Sequence, residues 1–122
     1  MKAYFIDSTK QEVTEIELEE GGYTELNMKI GCSTGTIPII FSNEDSLWMD
    51  DEGLFIEDQT GFNFEFDEDN TQWKFVGNAI LFGVNKDGNT IDVQTPITRL
   101  QAMITSWMSI AEVNLYKEQI GV

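Results

Sequence analysis

The stretch "GFNFEFDED" (61–69) constrains this chain more than any other. Phe62, Phe64 and Phe66 alternate with Asn63, Glu65 and Asp67. A period of two is what a β-strand needs to bury one face and wet the other. Just downstream, "WKFVGNAILFGV" (73–84) is almost wholly apolar and reads as a central strand, with Gly77 as a bulge. A half-buried strand beside a central one requires a sheet, and the remaining segments must supply its neighbours and its cover.

Residues 1–20 read as a hairpin. A strand over 3–6 and an alternating one through Thr14, Ile16 and Leu18 flank the turn-forming Asp7-Ser8-Thr9-Lys10. Residues 22–31 read as a short helix with Tyr23, Leu26 and Ile30 at helical spacing and Gly31 at its C-terminus. The following β-rich, acidic region covers 36–94. It includes "TIPIIFS", where Pro38 suits an edge, and "SLWMDDEGLF", an acidic turn between β-prone flanks. In that turn Gly53 allows the reversal, with Leu47 or Trp48 and Leu54 or Phe55 as core anchors. "NKDGNTI" reads as a tight hairpin leading into a short strand over 90–93. Thr95 and Pro96 then read as the cap and first residue of a helix over 96–118, either continuous or broken near Ser109. Ile97, Leu100, Ile104, Trp107, Met108, Ala111 and Leu115 keep one face of it apolar. The expected fold is α+β: one domain over 1–122, an antiparallel sheet of five to seven strands, a short helix and a longer C-terminal helix packed on it.

Several chemistries fail on residue types. The chain has no histidine, so Ser-His and Cys-His nucleophilic catalysis are excluded. A lone Cys32 closes no disulfide, which fits a reducing compartment, and structural zinc lacks its ligands. The segment around Asn85, Asp87, Gly88 and Asn89 only partly matches a calcium loop. In that register Gly83 and Gln94 occupy the positions of the first carboxylate and of the bidentate glutamate. A paired-carboxylate hydrolase would need a cleft with opposed acids. No catalytic residue, metal ligand or cofactor is assigned.

Charge is the remaining signal. The formal net charge is −15. Eleven of the acids fall in residues 44–69 with no base among them: Glu44, Asp45, Asp50, Asp51, Glu52, Glu57, Asp58, Glu65, Asp67, Glu68 and Asp69. Such a balance disfavours direct nucleic-acid or anionic-membrane binding, because phosphates call for Lys and Arg. It fits a basic protein partner. The plainer alternative is charge that keeps strand edges and turns from aggregating.

The opening "KAYFIDSTKQEVTEIEL", the "YTELNMKIGC" helix, "LWMDDEGLF", "VGNAILFGVNKDGN" and "PITRLQAMITSW" together resemble a bacterial and phage family known only as a domain of unknown function. That family carries an "xVDEEGLL" turn and a later "GxxLxxGxDxxG" segment. The resemblance spans residues 2–107, while "FEFDEDNTQW" and the tail after Trp107 depart from it. It implies a small α+β domain of phage or mobile-element origin and no particular activity. The expected function is therefore non-enzymatic: a cytoplasmic protein of a bacterial host that binds a basic protein partner through the eleven acids. Its sharper form is a nucleic-acid mimic inhibiting a host defence factor. The alternatives are homodimerisation through the C-terminal helix and weak binding of a divalent cation.

Overall fold

The computed structural model describes residues 1–122 and has the α+β architecture expected of the sequence, with nine strands and three helices. The strands are β1 (Lys2–Asp7), β2 (Glu12–Glu17), β3 (Gly35–Ile40), β4 (Ser46–Asp50), β5 (Gly61–Glu65), β6 (Gln72–Val76), β7 (Ala79–Val84), β8 (Thr90–Ile91) and β9 (Ile104–Met108). The helices are α1 (Tyr23–Ile30), α2 (Ile97–Met103) and α3 (Ile110–Ile120). They build two sheets rather than one. The larger runs β2-β1-β7-β4-β3, with β8 paired to the end of β7; the smaller runs β6-β5-β9. Every paired neighbour is antiparallel.

The largest core lies between the sheets. Ile6, Leu47 and Leu81 of the larger sheet meet Phe62, Phe64 and Phe75 of the smaller one, and Leu100 and Met103 of α2 complete it. The expected phenylalanine face is confirmed: Phe62, Phe64 and Phe66 are all buried. Burying three such rings contributes on the order of 6 kcal/mol before chain entropy is counted. The opposite face of the larger sheet takes α1, through Leu26 on Trp48, Ile80 and Phe82. On the outer face of the smaller sheet, α3 packs Val113 against Val76 and Met108.

Three local expectations need correction. The apolar run 73–84 is two strands, not one. At Gly77 (φ +98°) the chain leaves the smaller sheet after β6 and enters the larger as β7, where it is central. Gly77 is thus a crossing point rather than a bulge. Of the two readings of 96–118, continuous or broken near Ser109, the broken one holds, with an unexpected strand at the break. After Met103 the β-prone Ile104-Thr105-Ser106-Trp107-Met108 pairs with β5, whose second edge would otherwise lack a partner. A new helix then starts at Ser109, which accepts the Glu112 N–H while the Glu112 side chain accepts the Ser109 N–H. Ala111 and Leu115, expected on the buried face, are exposed as a result. Finally, Thr95 does not cap α2: its N–H and hydroxyl both turn to Asp45.

The smaller elements follow the sequence more closely. The 1–20 hairpin pairs Lys2 with Glu17 and Asp7 with Glu12. Helix α1 ends on Gly31 in the left-handed conformation (φ 85°), which glycine adopts without steric penalty. Pro38 lies on edge strand β3, where the register slips between Thr36 and Ile39. "NKDGNTI" is a hairpin turn closed by the Asn85 side chain, which accepts the N–H groups of Asp87 and Asn89.

Candidate partner-binding surface

The eleven acids do not form one surface. Asp45 and Asp50 bracket β4, whose length of about 17 Å at 3.4 Å per residue separates two groups. At one end stand Glu44, Asp67, Glu68 and Asp69; at the other stand Asp50, Asp51, Glu52, Glu57 and Asp58. Glu65, the last residue of β5, is half-buried.

Asp45 leaves the surface altogether, at 0% exposure. Its carboxylate accepts the N–H groups of Gln94 (3.1 Å) and Thr95 (2.7 Å) and the Thr95 hydroxyl (2.6 Å). Three donors converging on one buried carboxylate tie the start of β4 to the entry of α2. This acid is an internal strut.

Asp67 and Glu68 are also engaged. The Arg99 guanidinium donates to both Asp67 oxygens (2.8 and 2.7 Å) and to Glu68 (3.1 Å), while lying 5.2 Å over the Phe41 ring. That donation holds the Asp67 carboxyl below its ordinary range. At Glu68 burial opposes ionisation, but the Ser42 N–H and Arg99 outweigh it and its pKa also falls. Glu65 and Asp67, read as neighbours on the wet face of one strand, do not share it, since Asp67 lies past the end of β5 and faces Arg99.

The second group is different. The molecule's three ion pairs are at Met1–Glu17 and Arg99, so Asp50, Asp51, Glu52, Glu57 and Asp58 have no cationic partner. Asp50 accepts the Glu52 N–H (2.9 Å) and bends the chain into a 3-10 turn over Gly53–Phe55. Thus the reversal read into "SLWMDDEGLF" does not form and the flank after Gly53 is no strand: the segment carries the chain from the larger sheet to the smaller. Gly53 is required by close approach rather than by a reversed φ, because a Cβ there would lie 2.9 Å from the Val76 carbonyl oxygen. Leu54 packs beside Val76 and Met108, leaving Phe55 77% and Ile56 42% exposed. Of the two anchors anticipated after the turn, Leu54 serves and Phe55 does not. Two bases border this segment, Lys117 beside Glu57 and Asp58 and Lys74 beside Asp50 and Asp51, and neither pairs with an acid: Lys117 donates to the Ile56 carbonyl (2.7 Å) and Lys74 to the Asn63 side chain (2.9 Å). Asp58 adopts a left-handed backbone (φ 55°), a conformation unfavourable for a residue with a Cβ.

The result is an exposed aromatic and an isoleucine flanked on both sides by unpaired carboxylates. No sequence signal singled out Phe55, because its exposure depends on which neighbour of Gly53 reaches the core. No group of three or more Cys, Asp or Glu side chains converges as metal ligands would. No helix is long and apolar enough to cross a membrane.

Fold and surface together define a small acidic two-sheet α+β domain. The chain belongs to the family described as Domain of unknown function (DUF3846), whose model matches residues 1–105. Helix α3 lies wholly outside that match. No curated protein and no solved structure matches the chain.

Proposed function

We propose that this protein works by binding rather than catalysis, as a phage or mobile-element protein in the bacterial cytoplasm that docks a basic protein partner. The observation that carries this reading is Phe55, 77% exposed amid five carboxylates without internal counterions. Buried aromatic anchors supply much of the affinity of protein interfaces, while surrounding charges speed encounter and select the partner. A partner offering an apolar pocket rimmed by Lys and Arg satisfies both. In the sharper form, the partner is a nucleic-acid-binding defence factor and the carboxylates replace phosphates. With Asp67 and Glu68 committed to Arg99, that form rests chiefly on the five acids of residues 50–58.

Two variants separate the roles in binding to a purified partner. Phe55→Ala should weaken affinity about tenfold or more, chiefly through faster dissociation. Reversal of Asp51 and Glu52 to lysine should slow association with little loss of stability, since both side chains are exposed. Unchanged kinetics in both variants would remove this surface from consideration.

A second reading has its own observation. Leu115 (56%) and Ile120 (46%) on α3, with Val122 (52%) just past its end, leave uncovered apolar surface. Self-association through α3 would cover it. Sedimentation of wild type and Leu115→Glu tests this: a dimer that the variant splits supports it, and a monomeric wild type removes it.

A further inference from the structure

The outer face of the larger sheet is wider than the helix that covers it. Helix α1 has eight residues and spans about 12 Å, whereas five neighbouring strands span about 19 Å. The uncovered part is an open groove of about 450 Å³ between α1, the β7–β8 hairpin and edge strand β3. Its floor is Phe82 and Val84 of β7. Tyr23, 71% exposed, stacks on Trp48 with ring centroids 5.1 Å apart and forms one wall. Ile37 (38% exposed) and Ile40 (59%) form the other and carry the apolar surface out to the free sheet edge. Glu20 and Glu44 stand on the rim, and no basic side chain lines the groove.

We infer that this groove is a second docking site, and that its occupant is a peptide segment of a partner protein carrying aliphatic side chains flanked by Lys or Arg. The apolar floor and isoleucine wall take the aliphatic groups. The two rim carboxylates, unopposed by any base in the lining, select cationic flanks. The opening toward the sheet edge favours a chain segment over a small molecule, which such sites normally enclose on most sides.

Glu44 provides an unusually clean test. It sits at φ +73°, where glycine is favoured, so Glu44→Gly removes the charge while relieving the backbone. The experiment is selection of a random 12-residue peptide library on the purified full chain, followed by titration of the enriched peptides against intrinsic tryptophan fluorescence, to which Trp48 beneath Tyr23 contributes. Enriched sequences should combine aliphatic residues with Lys or Arg. Their affinity should fall about tenfold or more in Ile40→Asp and severalfold in Glu44→Gly, with melting temperature held or raised in the latter. The site is independent of residues 50–58, so Phe55→Ala should leave peptide binding unchanged. Absence of enrichment, enrichment of peptides without basic residues, or binding retained in both groove variants would overturn the proposal. So would a dimer of the chain itself that Ile40→Asp splits, since a second copy would then fill the groove.

Discussion

Asp45 illustrates how a residue's role depends on what faces it. By sequence it is one acid among eleven; in the fold it is the buried acceptor for Gln94 and Thr95. Asp45→Ala strands several buried donors and should destabilise the protein by roughly 2–4 kcal/mol in chemical denaturation, whereas Asp51→Ala should change stability by less than about 0.5 kcal/mol. Equal effects would show that the carboxylate network adds nothing. Gly35 is a second such residue. A Cβ there would run into the Trp48 ring, whose Nε1 donates to Asn27 (2.9 Å) and whose face stacks on Tyr23. Gly35→Ala should shift Trp48 fluorescence and destabilise by about 1–3 kcal/mol. Neither residue could be singled out from the sequence, because each depends on a partner many positions away: Thr95 for Asp45, Trp48 for Gly35.

Elements were legible where the period was strong and local. The phenylalanine alternation of β5, the β1–β2 hairpin, the glycine-ended α1 and the Asp-Gly turn all form as read. They failed where a continuous pattern concealed a change of partner. Across Gly77 the apolar run is unbroken because both β6 and β7 contribute to cores, yet they belong to different sheets. Between 97 and 115 apolar spacing mimics one helix, and the free edge of β5 captures its middle as β9. The break read near Ser109 does occur, and "SIAE", a Ser-x-x-Glu capping box at 109–112, is what restarts the helix there. Ser109→Ala should destabilise α3 by about 1 kcal/mol and lower helical circular dichroism, with the β-sheet signal retained. No change would mean that packing of Val113 alone holds the helix.

At the scale of the whole molecule, charge is divided between structure and surface. Net −15 repels itself, so added salt should raise the melting temperature of the isolated protein. The Arg99 cluster runs the other way with pH. Asp67 and Glu68 are held below their ordinary values of 3.8 and 4.5, so their contribution is full above those values and lost as pH falls through the lowered ones. The stability gap between wild type and Arg99→Gln should therefore narrow below about pH 4.5. A gap that widened there would reverse the assignment. Total charge was plain from composition, but the segregation of Asp50–Asp58 from the Arg99 cluster was not, since it follows from β4 standing between them. The most direct test of the binding account is the salt dependence of association with a partner purified from bacterial lysate, measured in parallel on Phe55→Ala. The expected result is association slowing by about an order of magnitude between low and high ionic strength, with Phe55→Ala dissociating faster at nearly unchanged association rate. Affinity flat across that range and indifferent to Phe55 would contradict it.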